Sequence, residues 1–272
     1  MRRIYMIPKV IHYCWFGKGE LPELALKCID SWKRLCPDYE IKEWNESNFD
    51  LNVNDFVREA YEAKKWAFVS DYARLWIVFN YGGVYLDTDV ELVKSLDELL
   101  DNKCFLGAET TGQVNTGLGF GAEKNNVVVK LLLNEYNNRH FNMNNGVYDM
   151  IPCPQKNTAP LKRMGYKYSE VTTFRTNMVT VFPPEYFCPI NYQTGKLNIT
   201  KNTISIHHFS ASWISEEARD EADKIAKILK NNLPVIAQIK KQYYLYSRQK
   251  NKENTNNFIS YIVSKIRLKM KL

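Results

Sequence analysis

Phe68-Val69-Ser70-Asp71-Tyr72-Ala73-Arg74-Leu75-Trp76-Ile77-Val78-Phe79-Asn80-Tyr81-Gly82-Gly83-Val84-Tyr85-Leu86-Asp87-Thr88-Asp89-Val90 is the stretch from which the rest of the sequence can be read. The apolar run around Asp71 and Arg74 is too long for one strand and reads as a helix. Three-residue spacing puts those two side chains on one helical face. Asn80-Tyr81-Gly82-Gly83 then stops the helix, because glycine takes the left-handed conformation at a helix C-terminus. Val84-Tyr85-Leu86 reads as a short buried strand that delivers Asp87-Thr88-Asp89 at its end. A helix turning through glycine into a buried strand predicts an α/β fold.

The chemistry follows from the end of that strand. Two carboxylates spaced i, i+2 at a strand-to-loop junction can share one hard divalent cation. Mg²⁺ and Mn²⁺ prefer carboxylate oxygens and the phosphate oxygens of a substrate. Each piece also has a plainer reading: most Asp-x-Asp pairs lie in solvated loops, and most Asp–Arg pairs are surface ion pairs contributing little. Here the charged pair interrupts an apolar helix, where charges need partners or a polar cavity. That combination favours a site.

Upstream, Val10-Ile11-His12-Tyr13-Cys14-Trp15-Phe16-Gly17 reads as a first buried strand. Ligands of open α/β sheets bind at the carboxyl ends of strands, where Trp15 stands. Its indole either packs in the core or stacks on a nucleotide base, a contact contributing about 1–3 kcal/mol. His12 reads as a strand histidine hydrogen-bonded locally. Pro22 to Leu35 has helical spacing and Tyr39 to Trp44 alternates as a second strand, so a parallel pair with a right-handed crossover is expected. Asn54 reads as the N-cap of a helix towards Lys65.

Downstream, Cys104 to Glu109 reads as a strand, Val114 to Ala122 as a glycine-rich turn entering another, and Asn126 to Asn138 as a helix. The glycine-rich turn lacks the Gly-Lys-Ser/Thr ending of a phosphate-binding P-loop. Thr158-Ala159-Pro160 is expected to open the next helix, and Thr180 to Phe187, broken by prolines, to line an acceptor site. Thr203 to Trp213 reads as the last strand and loop, with His207 and His208 as candidate further ligands for a metal held by two carboxylates.

Four segments together resemble glycosyltransferase family 32, the DXD-containing sugar transferases of bacterial capsular polysaccharide and lipopolysaccharide. Its relatives include the yeast initiating mannosyltransferase and, distantly, the clostridial glucosylating toxins. The segments are Ile7–Gly17, Phe68–Glu91, Asn115–Asn126 and Ile206–Trp213, in the family's order. The resemblance implies a GT-A type, Rossmann-like nucleotide-sugar-binding fold. It implies a metal-dependent, retaining transfer from a nucleotide-sugar, a UDP-sugar by likeness, to a glycan or lipid-linked saccharide. By the same resemblance Asp87, Asp89 and His207 hold Mn²⁺ or Mg²⁺, His207 being favoured over His208 by its spacing to Ser212 and Trp213. Asp71 and Arg74 bind donor hydroxyls, Trp15 stacks on the base, and Tyr85 meets a phosphate or simply packs. Asn115 binds a sugar hydroxyl or serves as a turn residue, while Ser212 and Trp213 close over the diphosphate. Alanine stands at 159 and 211 where the family usually has glycine.

Composition sets the outer bounds. Of 272 residues, 45% are hydrophobic and 25% charged, as in ordinary globular proteins. No long apolar run follows the basic start, so neither a signal peptide nor a membrane span is expected. The six scattered cysteines are expected to be buried free thiols in a reducing cytosol. From Lys224 onward twelve Lys and Arg face one acid, Glu253, a charge of +11 against +7 for the whole chain. The expected division is a catalytic domain over 1–223 and a basic amphipathic helical tail over 224–272. Such a tail can lie on an anionic membrane, be a solvated helix, or be disordered. Nucleic acid is not expected, since no recognised motif accompanies the charge. The expected location is cytoplasmic, peripheral on the inner face of the plasma membrane. Two other classes place different demands on the same residues. A haloacid dehalogenase-type phosphohydrolase would need Thr or Val where Glu91 stands. A catalytically silent nucleotide-sugar or membrane-surface binding module would not need Asp71, Arg74, Asp87 and Asp89 intact.

Overall fold

A computed structural model describes residues 7–143, 147–190 and 196–210, together with Lys224. Strand β1 (Val10–Cys14) pairs in parallel with β2 (Glu40–Trp44) on one side and β3 (Gly83–Tyr85) on the other. Helix α1 (Glu23–Leu35) makes the crossover between β1 and β2, as the spacing predicts. Beyond β3 the sheet reverses. β6 (Phe120–Ala122) runs antiparallel to β3 and to β5 (Cys104–Gly107), and β8 (Thr180–Phe182) is parallel to β5. β7 (Phe174–Arg175) closes the edge, giving a seven-stranded mixed sheet in the order β2-β1-β3-β6-β5-β8-β7. A separate antiparallel pair joins β4 (Val90–Leu92) to β9 (Ser205–His207). The α/β class read from the sequence is the one observed.

Strand alternation divides the core into two layers. Ile11, Tyr13, Val84 and Leu86 face one way and pack with Cys28, Ile29 and Trp32 of α1. Cys14 and Tyr85 face the other way, towards α2 (Asp55–Glu62), α3 (Trp66–Tyr81) and α4 (Val127–Asn134). Asn54 caps α2 by accepting the Phe56 N–H, and Asn126 caps α4. α4 stops at Asn134, earlier than the helical pattern to Asn138 suggests.

The glycine turn after α3 is required twice. Gly82 has φ +69° and closes the helix with its N–H on Val78 O. Gly83 has φ +99°, and a side chain there would meet Val10 O at 2.8 Å. L-residues pay for such a conformation, and backbone oxygen cannot move aside cheaply.

Four expectations change. His12 does not bond locally: it is buried, and its imidazole lies 2.9 Å from Gly82 O and 3.1 Å from Trp44 Nε1. An indole N–H only donates, so Nδ1 accepts and Nε2 carries the proton given to Gly82. Burial, and secondarily Lys42, push this histidine down to about 4 against the Gly82 bond. The helix α5 runs Cys153–Arg163, so Thr158-Ala159-Pro160 sits inside it rather than at its start. Pro152 and Pro154 open it instead, since proline's missing N–H and fixed φ suit a first turn. The segment 180–187, expected to be extended throughout, is a buried strand followed by a 3₁₀ turn, with Val181, Phe182 and Phe187 in the core. Ser95 to Leu100 reads in the sequence as a short helix with a capping signature, and forms instead a 3₁₀ turn, Asp97–Leu99. All six cysteines are free and buried, as expected. Among the described residues no helix is long and apolar enough to cross a membrane. The division at 223/224, the helical tail, Ser212 and Trp213 lie outside the described residues.

Candidate metal and donor site

The carboxyl edge of the sheet gathers the site. β1, β3 and β5 all run the same way, so Trp15, Asp87 and Glu109 follow strand ends at one edge. Asn115, preceding the reversed β6, returns to it. This is where open α/β sheets bind ligands.

The floor is built on α3. Arg74, 4% exposed, places Nη2 3.1 Å from Asp71 Oδ1 and 3.2 Å from Asp87 Oδ1. Its Nε donates to Ser70 O, and the guanidinium lies 5.2 Å over the Tyr85 ring. The Tyr85 hydroxyl donates to Asp87 Oδ1 at 3.0 Å, so this fully buried tyrosine packs under Arg74 and positions Asp87. Helix spacing has therefore produced a buried ion cluster, not a surface pair. Burial pushes the Asp87 carboxyl up to about 6, with Asp89 adding to it and Arg74 and His207 opposing. Burial also raises Asp71 against the pull of Arg74 and Lys156.

The other wall comes from β9 and the loop after it. His207 Nε2 lies 3.2 Å from Asp89 Oδ1, and Ser210 donates to Asp89 Oδ2 from both its backbone N–H and its hydroxyl, at 2.8 and 2.9 Å. Burial pushes the Asp89 carboxyl up, but His207 and Ser210 together hold it well below the usual carboxylate range. For His207, burial lowers the pKa, yet Asp89, Asp87 and Glu109 leave it raised. His208 turns away, 2.9 Å from Glu91, which also holds Lys27. Of the two candidate histidines, His207 is the one at the carboxylates.

Asp87, Asp89 and His207 each offer a ligand atom, all within 4.8 Å of one another. Ligands across an octahedral Mg²⁺ stand about 4.2 Å apart at roughly 2.1 Å per bond, so a small closure suffices. Two hard oxygens and one imidazole suit Mg²⁺ or Mn²⁺. His207 Nδ1 is buried without a hydrogen-bond partner, a polar atom that the site leaves to be satisfied. The residues present fit a divalent cation.

Asn115 holds the turn ahead of β6. Its Oδ1 accepts the Gly117 N–H at 2.7 Å, and its amide donates to Glu109 Oε1 at 2.7 Å. Trp15 stands at the same sheet edge, partly buried, with its indole N–H on Gly19 O. No hydrogen bond described for it joins it to the Asp87–Arg74 cluster. Sequence reading missed Glu109, Cys153 and Ser210. The one legible signal was Glu109 itself, a carboxylate just beyond a strand end, as Asp87 is.

Residues 22–106 match the family model described as glycosyltransferase sugar-binding region containing DXD motif. Inositol phosphoceramide mannosyltransferase 3 of Schizosaccharomyces pombe is 32% identical over 42% of this chain and 33% of its own length. Mannosyl phosphorylinositol ceramide synthase SUR1 of Saccharomyces cerevisiae is 33% identical over 37% of this chain and 27% of its own. The chain thus spans about a third of the curated relatives it matches. Among solved structures, PaToxG glycosyltransferase aligns over 58% of this chain and 70% of its own, with TM-score 0.46 and 20% identity. A glycosyltransferase involved in glycosylation of the PBCV-1 major capsid aligns over 81% and 100%, with TM-score 0.46 and 15% identity.

Proposed function

We propose that this chain, which carries the glycosyltransferase sugar-binding region with its DXD motif over residues 22–106, moves a sugar from a nucleoside-diphosphate donor to a hydroxyl acceptor. The observation that carries the reading is the convergence of Asp87, Asp89 and His207 beside the buried Asp71–Arg74 pair. Asp87, Asp89 and His207 would hold Mn²⁺ or Mg²⁺, which when bound offsets negative charge growing on the leaving diphosphate. Arg74, fixed by Asp71, adds a second positive charge on the same side. Asp71 and Asn115 orient the donor sugar. The family likeness implies retention of configuration. In a front-face displacement the anomeric carbon's bond to the diphosphate oxygen breaks as the acceptor oxygen bonds from the same side. The acceptor's proton passes to the leaving phosphate, so no protein nucleophile is needed.

Two observations bear on the substrates. The curated relatives are named as mannosyltransferases acting on inositol phosphoceramide, which supports a mannosyl donor and a lipid-borne acceptor. The basic 224–272 segment, with its charge of +11, would hold a cytoplasmic enzyme at an anionic membrane where such an acceptor is presented. A surface-glycan acceptor, as in capsule or lipopolysaccharide synthesis, uses the same donor chemistry.

The test is a thermal-shift panel of UDP-glucose, UDP-galactose, GDP-mannose and a CMP-sugar, each with and without Mn²⁺, alongside Asp89→Ala. A ligand that binds only the folded state raises the melting temperature. Stabilisation by one donor, requiring metal and lost in Asp89→Ala, supports the transferase and names its donor. No metal-dependent shift with any of them would replace it with a catalytically silent binding module.

A further inference from the structure

Three residues of α5 hold three successive residues of the loop that floors the site. The Thr158 hydroxyl accepts the Val114 N–H at 2.8 Å while donating to Pro154 O at 2.6 Å. The Asn157 amide donates to Thr116 Oγ1 at 3.1 Å. Between them, the Cys153 thiol reaches Asn115 Oδ1 at 3.5 Å. All six residues are buried, so water does not compete for these bonds. Cys153 and Asn157, i and i+4, share one helical face, and Thr158 stands on its flank.

What the loop carries makes the staple matter. Asn115 orients towards Glu109 through it, and Gly117 is seated so tightly on Asp87 that a Cβ would lie 2.4 Å from Asp87 Oδ2. Cys153 also lies 3.8 Å from Arg74 Nη1. One helix therefore touches both the α3 side of the floor and the loop opposite. Among the described residues, the side chains of Thr158 and Asn157 bond to that loop and to their own helix.

We propose that α5 is the positioning element of the donor site, with Thr158 and Asn157 as positioning residues. They set Asn115 and Gly117 against Asp87 and Arg74 without touching the donor. The inference rests on the nucleotide-sugar reading above.

The experiment compares the wild-type chain with Thr158→Val, which keeps the shape and loses the hydroxyl, Thr158→Ser, which keeps the hydroxyl, and Asn157→Ala. Melting temperature, Mn²⁺ affinity without donor, and KM and kcat for Mn²⁺-dependent donor hydrolysis are measured on each. Because small displacements of positioned groups are amplified in reactivity, Thr158→Val is expected to raise donor KM about tenfold and Thr158→Ser no more than about twofold. Mn²⁺ affinity should stay within about twofold, because Thr158→Val adds no atom against Asp87 and leaves its bonds to Arg74 and Tyr85 intact, while Asp89 and His207 are held from β9 and its loop. A Thr158→Val protein that melts earlier but keeps the wild-type KM and kcat overturns the inference, because its role is then structural only. If Thr158→Val fails to fold, Asn157→Ala carries the same comparison, because it leaves the Val114 N–H paired. A wild type that takes up no nucleotide sugar overturns the functional reading and this inference with it. A wild type that binds donor, with variants that match it, overturns this inference alone.

Discussion

Asp87 and Asp89 are two residues apart on one loop, and they sit in opposite surroundings. Asp87 belongs to the floor: its partners Arg74 and Tyr85 come from α3 and β3, and burial pushes its carboxyl up to about 6. Asp89 belongs to the wall: His207 and two bonds from Ser210 hold its carboxyl well below the ordinary range against its burial. The floor thus holds a carboxylate that would rather be neutral, and the wall one that is firmly charged.

The largest loss is expected at the wall. Asp89→Ala removes the firmly charged ligand and the partner of both His207 and Ser210. Metal-dependent turnover should fall roughly 10⁴-fold in kcat/KM, about 5.5 kcal/mol at 1.36 kcal/mol per decade. The measurement is donor turnover against Mn²⁺ concentration. Activity that saturates at the same Mn²⁺ level as wild type would remove Asp89 from the site.

At the floor the expected loss is in stability. Arg74 compensates two buried carboxylates, and removing one partner of a buried ionic cluster costs about 3–5 kcal/mol. Arg74→Ala should shift a urea unfolding curve by that amount, and pairing it with Asp71→Asn should recover part of it. A loss below about 1 kcal/mol would mean that the pair behaves as an exposed one.

The contrast between these regions also shows which parts of the molecule could be read in advance. Phe68 to Val90 was legible because each signal in it is local: apolar period, glycine stop, strand, carboxylates. The β1–α1–β2 unit and the cap at Asn54 were legible for the same reason. What was missed is held by residues far apart in sequence. Cys153 meets Arg74 across 79 positions, and Ser210 meets Asp89 across 121. No periodicity spans such distances. The start of α5 was misplaced because Pro152 and Pro154 read as loop residues, although proline in a first turn is compatible with a helix. His12 was expected to bond locally, whereas its partners arrive from Trp44 and Gly82 on other elements.

Neutralising each carboxylate separately sharpens the comparison into a difference of sign. Asp87→Asn should leave the metal-free protein as stable as wild type or more so, by about 1–3 kcal/mol. A carboxyl raised from 3.8 to about 6 carries that order of cost at neutral pH. The sign follows because a folded-state pKa above the unfolded value makes ionisation unfavourable to folding as pH rises through that window. Asp89→Asn should destabilise, since its charge is what His207 and Ser210 favour. Denaturation of both variants in EDTA at pH 7.5 checks this, and equal shifts of the same sign would dissolve the distinction between floor and wall.

The smallest expected effect tests whether the floor's geometry, apart from its charge, sets metal affinity. Gly117 has no side chain where a Cβ would stand 2.4 Å from Asp87 Oδ2, 3.0 Å from Asn115 Oδ1 and 3.1 Å from Arg74 Nη1. Real Cβ atoms do not approach that closely, so in Gly117→Ala either Asp87 or the loop must move. Asp89 and His207, held from β9 and its loop, keep their places. Losing alignment of one ligand in three should weaken Mn²⁺ binding about tenfold, about 1.4 kcal/mol, without abolishing it. Calorimetric titration of Mn²⁺ into Gly117→Ala and wild type measures that difference directly. A variant that binds Mn²⁺ as tightly as wild type would show that Asp87 yields freely. The rigid floor would then be a property of the metal-free protein alone.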